Sequence, residues 1–175
     1  AEHLSINFLP NAIYKPELCI RTTLEAARTH GFALDRIIFE VTEGERVEDG
    51  PWFAEILREY QRCGFKTAID DFGVGYAGLS LLADFQPNLV KIDMGLLRNL
   101  HTDAARRTIV RHLVRLCAEL HIPVIGVGVE TAAERDALRY AGVSLIQGYF
   151  FARPVFRSLA CVPAEAFAKL PAMRR

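Results

Sequence analysis

The sequence predicts an α/β fold in which parallel strands are surrounded by helices, as in a (β/α)8 barrel. Three observations support this fold class. Short β-rich runs alternate with amphipathic stretches, glycines follow three of those stretches, and polar residues recur where the strands end. Parallel strands need a crossover between them, usually a helix, so the alternation indicates a parallel sheet. We find no linker and predict a single domain over residues 1–175.

Six short runs rich in β-branched and aromatic residues are the predicted strands. They cover residues 4–9, 37–41, 66–69, 89–92, 123–127 and 145–147. Apolar residues at a spacing of three to four predict helices over residues 16–30, 49–63, 103–120 and 132–141. Gly31, Gly64 and Gly142 follow three of these stretches, and glycine readily adopts the left-handed conformation that ends a helix.

Polar side chains lie within or just beyond the carboxyl ends of all six predicted strands. They are Asn7, Glu40, Glu43, Asp70, Asp71, Lys91, Asp93, Glu130 and Gln147. A (β/α)8 barrel gathers its active site from those strand ends, whereas an open sheet places ligands at one switch point. The sequence also has no glycine-rich phosphate loop. The pattern therefore favours the barrel.

Adjacent aspartates in the sequence Asp70-Asp71-Phe72-Gly73 are the strongest local signal for chemistry. Two neighbouring carboxylates repel each other unless cations or hydrogen-bond donors hold them, so this pair indicates a divalent-metal site. Taken alone, an Asp-Asp pair is also typical of a solvated loop or a helix cap. The matching polar residues on the other strands favour the metal site.

Composition excludes some classes of function. Lys and Arg together number 21, as do Asp and Glu, so the chain lacks the basic excess of proteins that bind duplex nucleic acid. Its four cysteines form no CxxC pair, which is typical of thiols in a reducing compartment. No apolar run approaches the ~18 residues of a membrane span. We predict a cytoplasmic location, without membrane insertion by this chain.

The motifs on the strands closely resemble the EAL family of cyclic di-GMP phosphodiesterases. The matching stretches, in chain order, are SINF, FEVTE, DDFGVGYAGLS, VKID, GVET and QGYFFARP. The resemblance implies a TIM-like barrel, cyclic di-GMP as ligand, and two Mg²⁺ or Mn²⁺ ions that support its hydrolysis to pGpG. The stretch GYAGLSLLADFQP is most similar to EAL domains linked to blue-light-sensing BLUF modules.

The resemblance also implies a role for each matching residue. Asn7, Glu40 and Asp70 would bind the first metal ion, and Asp70 and Asp71 the second. Lys91 would lie near the attacking water and the scissile phosphate, and Gln147 would orient that water. Glu43 would anchor the loop after Asp71. For Glu130 a bracing hydrogen bond is favoured over metal ligation.

Two departures from the family pattern bear on function. In Gly126-Val127-Gly128-Val129-Glu130-Thr131, Val127 stands where the family has a glutamate, its proposed general base and a ligand of the second metal. Valine can neither bind a cation nor take a proton. The chain also opens in what resembles the third strand, so the first two strands and the Glu-Ala-Leu motif are missing. Either it is a piece of a longer protein, or the barrel is open and its strand edges need cover.

Three functional hypotheses follow. The domain is an impaired phosphodiesterase that binds cyclic di-GMP or relays a signal, an active metal-dependent phosphodiesterase, or a non-catalytic protein-interaction module. Whether it is an enzyme stays open at this point. The resemblance further implies a homodimer, with a sensory domain or a protein as a possible partner.

Overall fold

The computed structural model describes residues 2–13, 15–44, 50–75 and 78–167. Asp49, where one helix was predicted to begin, and residues 76–77 of the GYAGLS stretch lie outside these ranges. The strands are β1 Leu4–Asn7, β2 Ile37–Thr42, β3 Lys66–Phe72, β4 Leu89–Ile92, β5 Val124–Gly126 and β6 Leu145–Ile146. The α-helices are α1 Pro16–Cys19, α2 Arg21–His30, α3 Gly50–Arg62, α4 Gly78–Asp84, α5 Met94–Leu97, α6 Ala104–Glu119 and α7 Ala132–Tyr140. Short 3-10 helices cover Pro10–Ala12, Leu34–Arg36 and Ala164–Phe167.

The chain forms two compact units, residues 1–91 and 92–175. In the first unit β1 pairs in parallel with β2, and β2 with β3. Asn7 lies opposite Glu40, and Thr42 lies opposite Asp70. Because these strands run in one direction, their carboxyl ends share one edge of the sheet. That edge carries predicted site residues from three strands.

An apolar cluster on one side of the first unit's sheet holds α2 and α3 in place. Phe39 of β2 packs against Tyr60 of α3 with ring centroids 4.6 Å apart, and its ring meets Phe65 edge-on at 5.1 Å. Ile20 and Ile56 also belong to this cluster and are almost fully buried. Burying such side chains stabilises the fold by about 1.5–3 kcal/mol each. The helices therefore form because their apolar faces cover the sheet.

Strand β3 is longer than the sequence predicted. The expected strand ends at residue 69, but β3 continues through Asp70 and Asp71 to Phe72. The register explains the extension, because Thr42 pairs with Asp70 and the Glu43 N–H donates to the Asp70 carbonyl at 2.9 Å. Asp70 thus stands on hydrogen-bonded strand rather than on a loop, and Asp71 follows it within β3.

The second unit contains β5 and β6, which pair in parallel with Ile125 opposite Leu145 and Gly126 opposite Ile146. A methyl group on Gly126 would lie 2.7 Å from Leu138 Cδ1 of α7. An added methyl group would force the Leu138 side chain to shift, so glycine suits this close approach of helix to strand. Leu138 itself is fully buried.

The predicted helix ends are confirmed, because Gly31, Gly64 and Gly142 all have positive φ angles, at 62°, 94° and 96°. The predicted helix over residues 16–30 is divided at Ile20 into α1 and α2. Within the described ranges, no helix has both the length and the apolar character needed to cross a membrane.

Candidate functional site

Three neighbouring strands of the first unit bring two carboxylates and one amine together. Lys91 of β4 donates from Nζ to Oε2 of Glu40 on β2, at 2.7 Å, and to Oδ2 of Asp70 on β3, at 2.6 Å. The side chains of Lys91 and Glu40 are only 7% and 5% exposed, and that of Asp70 is 15% exposed. We call this group the Glu40–Lys91–Asp70 cluster. It is a water-poor site with one more negative than positive charge.

The two carboxylates of this cluster stabilise the charged form of Lys91. Burial acts to lower the pKa of Lys91, but the hydrogen bonds and negative charges of Asp70 and Glu40 outweigh it and raise the pKa above its ordinary value. Lys91 is therefore a protonated ammonium at neutral pH. A buried ammonium held by two carboxylates is costly to disrupt from either side, because removal of one partner leaves an uncompensated buried charge.

Asp71 follows Asp70 with a left-handed backbone, at φ 54°. Such a conformation is uncommon outside glycine, although aspartate tolerates it better than most residues. The Asp71 N–H donates to Oδ1 of Asp70 at 2.9 Å. Both oxygens of Asp70 are thereby engaged, one by the backbone and one by Lys91, so the orientation of this carboxylate is fixed.

Asn7 ends β1 at the position opposite Glu40. The next residue extends the pairing, because the Phe8 N–H donates to the Glu40 carbonyl at 3.0 Å. Asn7 is exposed, whereas Glu40 is buried. The structure thus brings Asn7 to the same sheet edge as the cluster.

Glu43, just beyond β2, binds the backbone on either side of residues 74–77. Its Oε2 accepts from the Gly73 N–H at 2.5 Å, and its Oε1 accepts from the Gly78 N–H at 2.7 Å. Glu43 is 7% exposed. A methyl group on Gly78 would lie 2.6 Å from Oε1, so glycine is required for this close approach.

In the second unit, the segments around Val127 and Gln147 are joined through their backbones. The Gln147 N–H donates to the Gly126 carbonyl at 2.8 Å, and its own carbonyl accepts from the Val129 N–H at 3.1 Å. The Val127 N–H donates to the Ile92 carbonyl at 3.2 Å. The Val127 side chain is half-buried and Gln147 is exposed. Val127 brings neither a charge nor a proton-accepting group to the end of β5.

Glu130 belongs to a small ionic network at the start of α7. Arg98 donates from Nη2 to Oε1 of Glu130 at 2.5 Å and lies 3.7 Å from Oε2 of Glu134. Glu134 also accepts from the N–H groups of Glu130 and Thr131, and Thr131 caps the helix in return. Sequence reasoning missed Arg98 and Glu134. The spacing Thr131-x-x-Glu134, typical of a capping box, was the available signal for the second.

The carboxylate oxygens of this site suit a hard divalent cation, but they supply only part of a full set of ligands. Oxygens of Glu40 and Asp70 converge on one point, the Lys91 nitrogen, and carboxylate oxygens are what Mg²⁺ and Mn²⁺ prefer. Among the described residues, no group of three or more His, Cys, Asp or Glu side chains is gathered closely enough to hold a metal ion. Glu40 and Asp70 fit a metal ion as a pair, and the larger ligand set stays a prediction.

Comparison with protein families gives a match to the EAL domain over residues 1–154. Among curated proteins, the blue light- and temperature-regulated antirepressor BluF of Escherichia coli K12 is 35% identical over 150 residues. The match covers 86% of this chain and 37% of BluF. The chain therefore spans less than two fifths of that relative.

Three solved structures of two proteins are similar over most of this chain. A standalone versatile EAL protein from Vibrio cholerae O395, in its c-di-GMP bound form, is 54% identical with a TM-score of 0.91, covering 97% of this chain and 71% of that one. Klebsiella pneumoniae BlrP1 in its calcium/cy-diGMP complex is 37% identical with a TM-score of 0.84, covering 91% and 41%. Its manganese/cy-diGMP complex gives a TM-score of 0.81 at the same identity, with 91% and 39% covered.

Proposed function

This chain belongs to the EAL domain family, and we propose that it binds cyclic di-GMP with a divalent cation but hydrolyses it poorly. The observation that carries the proposal is Val127, an apolar residue where the family pattern has a carboxylate. The proposal that the chain binds its ligand rests on the Glu40–Lys91–Asp70 cluster, which is largely buried and hydrogen-bonded. The solved EAL relatives confirm the fold of the EAL type that the sequence predicted.

Ligand binding is supported by the residues retained at the strand ends. We assign Asn7, Glu40, Asp70 and Asp71 to holding Mg²⁺ or Mn²⁺, of which two ions would be present as in the family pattern. Such ions, when bound, neutralise phosphate charge and stabilise the attacking and leaving oxygens of a phosphodiester displacement. The calcium and manganese complexes of BlrP1 support the use of divalent cations here.

Poor hydrolysis follows from what Val127 lacks. A positioned general base typically contributes about 10²–10⁴-fold to a rate. Lys91 cannot replace it, because a protonated ammonium accepts no proton. We assign to Gln147 the role of orienting the attacking water. With valine at position 127, no group at that position can take a proton from this water. The glutamate that Val127 replaces would also be a ligand of the second metal ion, but the retained carboxylates of Glu40, Asp70 and Asp71 still supply oxygen ligands, so we expect binding to survive the same change.

Chromatographic measurement of pGpG formation in Mn²⁺ tests whether the protein hydrolyses cyclic di-GMP poorly. We expect little turnover by the unaltered protein and an increase of about 10²-fold or more for Val127→Glu. Val127→Gln is the matched control, because it has the shape and polarity of glutamate without its basicity, and it should stay inactive. Rapid turnover by the unaltered protein would instead identify it as an active phosphodiesterase.

Calorimetric titration with cyclic di-GMP in Ca²⁺ tests whether the protein binds the dinucleotide. We expect saturable binding by the unaltered protein and a clear loss for Asp70→Asn, which removes a carboxylate from the cluster. Asp84→Asn, on the last residue of α4, is the control and should bind normally. Absence of binding by the unaltered protein would contradict the proposal.

A second candidate function is a protein-interaction module without ligand binding. The similarity to BluF, which is named an antirepressor, favours it. Absence of dinucleotide binding together with association with a protein partner would support this alternative.

Three finer features belong to the same proposal. We propose a homodimer, with the helices near Asp71 and residues 94–97 at the contact, and a sensory domain or protein partner as the source of the signal. Light scattering during gel filtration tests the dimer. We also propose a cytoplasmic location, which the free thiols of Cys19, Cys117 and Cys161 support.

A further inference from the structure

The amine of Lys91 occupies the point where the carboxylates of Glu40 and Asp70 converge. Its Nζ lies 2.7 Å from Glu40 Oε2 and 2.6 Å from Asp70 Oδ2. Oδ1 of Asp70 is committed to the Asp71 N–H, so Oδ2 is the oxygen that a metal ion would use. The ammonium and the metal therefore need the same two oxygens.

We propose that Lys91 competes with the divalent cation for Glu40 and Asp70, and so sets the metal affinity of this domain. The inference rests on the metal-binding part of the proposed function. In the exchange one divalent ion enters and the lysine ammonium leaves the two carboxylate oxygens. No covalent bond is made or broken.

Electrostatics dictates the direction of the effect. Two carboxylates close together bind a cation tightly, but an internal ammonium satisfies them in advance. The arriving metal ion must replace two short, charge-assisted hydrogen bonds and then remain close to the positive charge of Lys91. That repulsion is large at a site where water is mostly excluded. Metal affinity is thus lower than the carboxylates alone would give.

Calorimetric titration with Mn²⁺ alone tests the inference. Lys91→Gln keeps the polar, unbranched side chain and removes the charge, and we expect its affinity for Mn²⁺ to rise by about tenfold or more. Lys66→Gln, at the opposite end of β3, makes the same chemical change and should leave the affinity unchanged. Equal or weaker Mn²⁺ binding by Lys91→Gln would overturn the proposal.

A second pair of variants keeps the test decisive if Lys91→Gln fails to fold. Glu40→Gln leaves Lys91 paired with Asp70, and the double variant Glu40→Gln with Lys91→Gln leaves Asp70 held by the Asp71 N–H. We expect the double variant to bind Mn²⁺ more tightly than Glu40→Gln. Equal affinities of these two variants would refute the competition.

The same titrations separate this inference from the proposed function. If the unaltered protein binds Mn²⁺ and the lysine variants bind it no better, only the competition is wrong. If neither the unaltered protein nor any lysine variant binds Mn²⁺, the metal site itself is wrong. If only the lysine variants bind Mn²⁺, the competition is confirmed, because Lys91 then prevents metal binding in the unaltered protein.

Discussion

Replacing Glu43 by glutamine should loosen the segment that follows β3. The carboxylate accepts from the Gly73 N–H and the Gly78 N–H, and it is almost completely buried. Glutamine has the same length but only one accepting oxygen. Its NH₂ group must then face one of the two donors, so one of the two backbone groups loses its partner.

The cost can be worked out from the burial of the two donors. Gly78 is buried, whereas Gly73 is exposed and water can replace its partner. A buried N–H without an acceptor costs about 1–3 kcal/mol, and a bond to a charged acceptor is worth about 1.5–3 kcal/mol against roughly 1 for a neutral one. We therefore expect Glu43→Gln to lower the free energy of unfolding by about 2 kcal/mol.

Urea unfolding followed by circular dichroism at pH 7 measures this change. Glu25→Gln is the matched control, because Glu25 is an exposed glutamate of α2 whose ion pair with Arg21, at 3.3 Å, lies on the surface. Surface pairs are worth at most about 1 kcal/mol. If the two variants lose the same stability, or Glu43→Gln loses less than about 0.5 kcal/mol, the two hydrogen bonds do not hold this segment as we describe.

Three further predictions test other parts of the chain. Gly128→Ala should destabilise the protein by more than about 2 kcal/mol, since Gly128 has a φ of 75° and the added methyl group would lie 2.5 Å from Met94 Cβ. Gly44→Ala, which meets nothing within 4 Å, is its control in a thermal melt, and equal melting temperatures would contradict the contact. Burial raises the pKa of the Cys117 thiol to about 11, so at pH 8 a disulfide reagent should modify the exposed Cys19 and Cys161 quickly and Cys117 only on unfolding. Burial acts to raise the pKa of Glu134, but the N–H groups of Glu130, Asn99 and Thr131 and the charge of Arg98 lower it overall. Its stabilising effect is therefore complete above the unfolded value of about 4.3 and is lost as the pH falls through the lower folded value. Glu134→Gln should cost more stability at pH 7 than at pH 3, and equal costs would refute this sign.

Much of the fold could be predicted from local patterns. Alternating β-rich runs and amphipathic stretches located all six strands, and glycine marked the ends of α2, α3 and α7. The short helices α4 and α5 were missed, because seven and four residues are too few to show a helical period. The extension of β3 was missed as well. It depends on pairing with Thr42, which is 28 positions away in the sequence, and local patterns carry no information on such pairing.

The site was predicted less completely than the fold. Motif resemblance selected Glu40, Asp70 and Lys91, but it did not indicate that the ammonium would bind both carboxylates. That arrangement depends on how three strands are aligned side by side. Likewise, the role of Arg98 depends on its distance from Glu130, which is 32 positions further along the chain. Sequence patterns identify which groups carry chemistry, whereas sheet register and side-chain reach decide which groups meet.

Lys91 and Val127 affect function in different ways. Val127 removes a proton acceptor, which lowers the rate, and also one of the ligands that the resemblance implies for the second metal ion, while the carboxylates of Glu40 and Asp70 still support binding. Lys91 neutralises part of the charge that attracts a metal ion, so it affects binding even when no reaction follows. A glutamate at position 127 should therefore restore turnover but leave the competition at Glu40 and Asp70 in place. The double variant Val127→Glu with Lys91→Gln separates the two effects, because it should bind Mn²⁺ more tightly than Val127→Glu alone, whatever its rate.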